Sequence, residues 1–419
     1  MAKIHLASLE KLIEDSEIQC APMFAQIEKI EEGWTEIILS AMQEYHIAPR
    51  HFAPTTGYGY DDVGRDTLEK LFARIFATED AIVRPQIASG THALSLCLFG
   101  LTLPGDHILS VTGKPYDTME DVLGIGEQPV VGSLKERKVD FSMVSLTKEG
   151  AFDIGNIEKM LRPNTKVIMV QRSRGYDWRP TLLPEEMESF FTHMKKNHPQ
   201  IIIMVDNCYG EFVCEKEPSH VGADICAGSL IKNPGGGLAP TGGYIVGKAT
   251  LIHQIATCLT APGIGKEVGS YAGSYQPFYQ GLFMAPHTVA QALKTMTLAA
   301  RVFETLGFAI TPKADERRGD IIQAIKMKAP EALIAFCQGI QMASPVDSMA
   351  LPEPWEMPGY AHQVIMAAGT FVSGASIELS CDAPMKEPYI LYLQGGLTYS
   401  HGKIALKKAL SHMGKVLDQ

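Results

Sequence analysis

Ile201-Ile-Ile-Met-Val205 is an unbroken apolar run closed by an acid, Asp206, and it narrows the fold more than any other stretch. Consecutive apolar residues suit a strand only if both faces of its sheet are covered, as in a parallel sheet with helices on either side. Further strand-like segments lie at Ala81 to Ile87, His107 to Val111, Lys166 to Val170, Ala223 to Ser229 and Gly243 to Val246, with helical stretches such as Pro184 to His198 among them. Strand and helix in alternation predict an α/β chain whose large domain, residues 51–285, is built on a mostly parallel central sheet. Ahead of it, Leu6, Leu9, Leu12 and Ile13 share one helical face and begin a helical arm over 1–50. Behind it, a helix from Val289 to Glu304, strands at Phe371 to Leu379 and Tyr389 to Leu393, and a closing helix from Lys403 to Val416 predict a smaller α+β C-terminal domain, 286–419.

The second unusual stretch is Cys226-Ala-Gly-Ser-Leu-Ile-Lys232-Asn-Pro-Gly-Gly-Gly237. An apolar run asks for burial and an ammonium group resists it, so a lysine placed there needs a chemical reason. In open α/β sheets the groups that meet ligands stand at the carboxyl ends of strands, where both Asp206 and Lys232 fall. A carboxylate for a pyridinium nitrogen and an amine for an aldehyde are what pyridoxal 5'-phosphate requires. Burial is expected to lower the lysine pKa from its ordinary value of about 10.4, favouring the neutral amine. Ser89-Gly90-Thr91 opens a helix after a strand, and unpaired N–H groups at such a helix end stabilise a phosphate. Ser229 stands ready to add a hydroxyl, and Tyr116 an aromatic face, to the same group.

Taken singly, each has a plainer explanation: Asp206 as a turn cap, Lys232 as a surface lysine, Tyr116 as a loop tyrosine. Ser229-Leu-Ile-Lys232 also fits the S-x-x-K of a serine acyl-transfer enzyme, but Asn233-Pro234-Gly235 ends the helix turn that motif needs. It is the combination, in order along one sheet, that points to the cofactor.

Other classes are argued against. A net charge of -10 speaks against nucleic acid. The longest apolar patch, around Leu94 to Leu103, is too short for a bilayer, and the first residues lack the pattern of a signal peptide. Eight scattered cysteines with no C-x-x-C pair suit reduced thiols and predict neither a disulfide framework nor a metal site, so a cytoplasmic protein is expected.

Through GYGYDDVGRDTLE, QIASGTHA, QRSRGYDWRP, VDNCYGEF, AGSLIKNPGGGLAPTGGYI, YAGSYQPFYQGLF, GTFVSGASIELS and PYILYLQGGLTY, the chain resembles the aluminium-resistance protein family. That family is also described as methionine gamma-lyase-like or cystathionine beta-lyase-like, a branch of the Cys/Met-metabolism pyridoxal-phosphate enzymes with the aspartate-aminotransferase-like fold (fold type I). The resemblance implies Lys232 as the Schiff-base lysine, Asp206 as the pyridinium partner and Tyr116 as the stacking aromatic. Ser89, Gly90, Thr91 and Ser229 would hold the phosphate. In the wider group a Y-x-R motif reaches into the neighbouring subunit's phosphate site; here Tyr58 takes the tyrosine's place, Tyr60 stands at the arginine position, and Arg65 is the one nearby cation. Related enzymes hold the substrate carboxylate with a C-terminal arginine, yet no arginine follows Arg318. Lys386, or Arg172, Arg174 or Arg179 from the large domain, would have to serve instead. The activity implied is a carbon-sulfur lyase for a sulfur-containing amino acid, of the cystathionine beta-lyase or methionine gamma-lyase type, in a homodimer or homotetramer with the site between subunits. The alternatives are a pyridoxal-phosphate enzyme of another reaction type (transaminase, racemase or aldol cleavage) and a pyridoxal-phosphate-binding stress protein with little turnover.

Overall fold

The computed structural model of the chain describes residues 6–126, 130–357 and 362–417. Its helices are α1 (Leu6–Glu44), α2 (Val63–Ile75), α3 (Gly90–Leu101), α4 (Thr118–Leu123), α5 (Ile154–Met160), α6 (Pro184–Asn197), α7 (Ala249–Leu259), α8 (Gln276–Thr305), α9 (Pro330–Ala343) and α10 (Tyr399–Leu417). The strands of the large sheet are β1 (Asp80–Arg84), β2 (His107–Ser110), β3 (Asp140–Met143), β4 (Thr165–Gln171), β5 (Ile202–Asp206), β6 (Ile225–Ser229) and β7 (Gly243–Gly247). They lie in the order β1-β7-β6-β5-β4-β2-β3. Only β7 runs against its neighbours, so the sheet is mostly parallel.

The unbroken apolar run of β5 is explained by what covers it. Ile203 and Val205 pack on one face with Phe190 and Phe191 of α6 and the first half of α8, while Ile202 and Met204 pack on the other with α3 and α7. Both faces of β5 are dry, so its residues are apolar without alternation. The edge strand β3 escapes the periodicity because it is partly exposed, with Asp140 and Met143 open to solvent.

A second sheet, all antiparallel, has the order β10-β11-β12-β9-β8 from β8 (Ile310–Thr311), β9 (Ile322–Lys326), β10 (Val364–Ala367), β11 (Ser380–Pro384) and β12 (Ile390–Gln394). It packs with α9, α10 and the end of α8 around a core of its own. The strand expected at Phe371 to Leu379 is not there. The Glu378 carboxylate accepts N–H bonds from Phe371 and Val372, both at 2.9 Å, and folds the segment into a loop before β11. Likewise α8 begins at Gln276 and carries Pro286 inside it, where a proline read from sequence suggests a break. No helix among the described residues is long and apolar enough to cross a membrane.

Candidate active site

β5 and β6 are hydrogen-bonded neighbours with Asp206 paired to Ala227, so the chain leaving each strand arrives at the same edge of the sheet. Asp206 ends β5, Ser229 ends β6, and Lys232 follows three residues on. Together with Ser89, Gly90, Thr91 and Tyr116 they line one cavity of about 180 Å³. Those seven sequence-predicted residues are therefore brought together. Gln171, Ser173, Cys208, Tyr209 and Thr118 join them there.

Ser89 is the N-cap of α3: its Oγ accepts the His92 N–H at 3.0 Å, while the amides of Gly90 and Thr91 in the first turn have no intrahelical acceptor. At Gly90 a Cβ would stand 3.3 Å from the Cys208 Sγ and 3.5 Å from the Ser229 Cβ. The helix start thus packs against the strand ends where a side chain would be tight, and Gly90 and Thr91 line the cavity. Thr91 and Thr118 share a 2.7 Å hydroxyl–hydroxyl bond on the same wall. The Tyr116 N–H is fixed by the Gln171 Oε1 at 2.8 Å.

The lysine sits with its Nζ 4.1 Å from the centre of the Tyr209 ring. Burial opposes the ammonium form, but Cys208, Tyr209, Asp206 and Glu211 outweigh it and hold the pKa above the usual lysine value. The expected lowering is corrected: it counted burial alone and not the acidic side chains gathered around the amine. For Asp206, burial raises the pKa while Lys232 and the Cys208 amide, which donates to Oδ1 at 3.1 Å, pull it back.

This donor set fits pyridoxal phosphate. A helix N-terminus ringed by hydroxyls suits the phosphate, and an acid and an amine at neighbouring strand ends suit the ring nitrogen and the aldehyde carbon. What is missing is charge: Lys232 is the one cation among the described residues lining the cavity, against a phosphate carrying close to two negative charges at neutral pH.

Arg65, expected on a loop that reaches a neighbouring subunit's site, is buried in its own chain and donates to the Gly59 carbonyl at 2.7 Å and the Asp66 carboxylate at 2.8 Å. One expectation is corrected: Arg172 points into the interior, where its Nη1 donates to Asn207 at 2.8 Å and to Glu217 at 3.0 Å, so it meets no substrate. Tyr58 is 72% exposed on the loop and lies apart from its own chain's cavity.

Arg174, Arg179 and Lys386 line a second, wider cavity of about 550 Å³, which shares Tyr116 and Gln171 with the first and so opens beside it. Arg174 is buried facing Asp320 at 3.7 Å and donates to the Thr311 carbonyl at 2.9 Å. Arg179 donates to the carbonyls of Ser173, Gln171 and Pro180. Lys386 is exposed at the turn between β11 and β12. A third cavity, about 590 Å³ beside α1, is walled mainly by apolar groups such as Ile27, Ile30, Trp34 and Leu293 and shares no lining residue with the other two.

Sequence reasoning missed the layer beneath the lysine. Glu211 is wholly buried; its Oε1 accepts the Tyr244 hydroxyl at 2.8 Å, and its backbone carbonyl accepts the Asn233 amide at 3.0 Å, next to Lys232. VDNCYGEF contained the signal, an acid five residues after Asp206, but nothing in spacing places it under the sheet's edge. No group of acids, histidines and cysteines among the described residues could hold a metal ion.

Comparison with known proteins finds relatives over nearly the whole chain. The chain is 50% identical over 409 residues to the uncharacterized Bacillus subtilis (strain 168) protein YnbB, covering 98% of this chain and 97% of that one. It superposes with a TM-score of 0.93 on a Clostridium novyi structure described as a carbon-sulfur lyase involved in aluminium resistance, at 48% identity over 96% of this chain and 95% of that one. It is also 25% identical over 226 residues to the L-methionine gamma-lyase of Treponema denticola, 54% of this chain and 51% of that enzyme. The methionine gamma-lyase family model matches residues 9–414, and the chain belongs to that family, whose cofactor is pyridoxal 5'-phosphate.

Proposed function

We propose that the protein is a carbon-sulfur lyase that cleaves the thioether of a sulfur-containing amino acid, with Lys232 as the covalent anchor of its cofactor. The observation that carries this reading is the meeting of Asp206, Lys232 and the start of α3 in one cavity. When bound, pyridoxal phosphate supplies an electron sink for the bond electrons released at the substrate's α-carbon.

The chain's own residues do the rest. Ser89, Gly90, Thr91 and Ser229 hold the phosphate, Asp206 keeps the ring nitrogen protonated, and Tyr116 stacks on the ring. With the cofactor bound, the Asp206 carboxylate would pair with its ring nitrogen, which would lessen its hold on the Lys232 ammonium and let the Lys232 amine take the α-proton at Nζ. For a cysteine thioether, water then completes the balance: R–S–CH2–CH(NH3+)–COO− and H2O give R–SH, pyruvate and NH4+. For methionine the corresponding products are methanethiol, 2-oxobutanoate and NH4+. Of the five cations that line the wider cavity, Arg179 and Lys386 are the two assigned to the substrate's α-carboxylate in this reading.

A homo-oligomer belongs to this reading, in which the loop of Tyr58 and Tyr60, both strongly exposed, adds hydroxyl donors to the neighbour's phosphate site. Purified protein supplied with pyridoxal phosphate and offered cystathionine or methionine is expected to release free thiol and a 2-oxo acid together. Amino-group transfer with no thiol would overturn the lyase reading.

A further inference from the structure

Tyr209 holds a backbone conformation that its side chain does not favour. Its φ is +71°, in the left-handed region where a tyrosine is strained and a glycine is not. Contacts with the second sheet keep it there. The Tyr209 carbonyl accepts the Ile321 N–H at 3.2 Å, immediately before β9, and its ring packs with Ile322, Ala324 and Tyr392 of β9 and β12. A strained residue, fixed from outside its own turn and lining the cofactor cavity, marks a place where the direction of a side chain matters.

That direction brings the ring to Lys232. The Nζ lies 4.1 Å from the ring centre, and among the described residues no carboxylate stands within 4.0 Å of it. Asp206 and Glu211 act on the amine through space and not as direct ion pairs. Burial pushes the Tyr209 hydroxyl above the usual tyrosine pKa, with Lys232 opposing, so the ring stays neutral and meets the amine with its face.

An aromatic face carries negative charge density that attracts an ammonium, most strongly where water is excluded, and has little hold on a neutral amine. Lys232 has to alternate between those forms: neutral before it takes the α-proton, ammonium afterwards. A partner that prefers the ammonium favours the transfer. A carboxylate in contact would hold the cation far more firmly in so dry a site and hinder return of the amine. The weaker pull of a ring suits a group that must both accept a proton and give it up.

We propose that the Tyr209 ring face is a catalytic contact of Lys232, receiving the amine when an incoming substrate displaces it and stabilising the ammonium formed when Nζ takes the α-proton. The inference rests on Lys232 as anchor and base in the lyase reading above, and adds to it a residue that reading does not use.

The test grades the charge of the ring without removing the ring. Tyr209→Phe takes away the hydroxyl, and phenylalanine carrying one, two or three fluorines at position 209 then withdraws electron density from the same face. Two rates are read in the full chain. Uptake of pyridoxal phosphate by cofactor-free protein, followed by absorbance, needs the neutral amine. Exchange of the α-hydrogen of methionine or cystathionine for deuterium, followed by NMR in the holoenzyme, passes through the ammonium. Across the fluorine series uptake is expected to rise and exchange to fall, each by about fivefold. A ring that only fills space would leave both rates flat or lower both together, and either result would overturn the proposal. Loss of exchange already at Tyr209→Phe would place the effect in the hydroxyl and overturn it as well. Uptake is read without turnover, so parent protein that binds the cofactor yet releases no thiol would remove the lyase reading while the series still decides on Tyr209.

Discussion

The Glu211 carboxyl lies wholly out of water, and burial, reinforced by the nearby Glu217, pushes its pKa from 4.5 to about 8. The sign of the resulting pH dependence follows directly. Between pH 4.5 and 8 the unfolded chain has released this proton while the folded chain keeps it, so folded stability falls as pH rises through that window. Glu211→Gln keeps an acceptor for the Tyr244 hydroxyl and removes the ionisation. Thermal unfolding followed from pH 5 to 8 is expected to show the variant gaining on the parent as pH rises; parallel curves would contradict it. At this scale the sequence was legible where chemistry depends on position along the chain, as for Asp206 and Lys232. It was not legible where a side chain's direction decides, as for Arg172, which looks like a substrate cation in QRSRGYDWRP but turns inward to Glu217. The acidic side chains gathered around the amine were hidden for the same reason.

Elements place the lysine through a turn that tolerates little. After β6 the chain passes Lys232 into the short 3-10 turn Asn233–Gly235, and a Cβ on Gly235 would stand 1.8 Å from the Leu230 carbonyl oxygen and 2.6 Å from the Ala239 Cβ. Backbone cannot yield as a flexible side chain does, so Gly235→Ala must displace the turn that carries the amine. The expected cost is about 1–3 kcal/mol of stability. Cofactor affinity is expected to fall more than Tm, read by equilibrium dialysis of pyridoxal phosphate against the parent. An affinity unchanged within twofold would refute the idea that this turn aims Lys232. Glycine at 235 to 237 was visible in the sequence as a turn, but the contact that demands it was not, because Ala239 and Leu230 meet it only after folding. The same limit explains the strand misread at Phe371 to Leu379, where Glu378 holds the backbone in a loop.

Over the whole molecule, the sheet class was readable because dryness on both faces writes itself into β5 as unalternating apolar residues, whereas the short antiparallel strands β8 and β9 carry no comparable run. The cysteine pattern is a further property of the complete chain. All eight are free, and of them only Cys258 is exposed while the others are buried. A thiol reagent applied to the native protein is therefore expected to label one cysteine per chain rapidly, and all eight only after unfolding; rapid labelling of several would show the core to be more open than described. The central claim concerns the junction of β5, β6 and α3, and one measurement reaches it directly. Holoprotein reduced with borohydride, digested and mapped by mass spectrometry is expected to carry a pyridoxyl adduct on Lys232, and Lys232→Ala to carry none there. An adduct on another lysine, or none in the parent protein, would contradict the assignment.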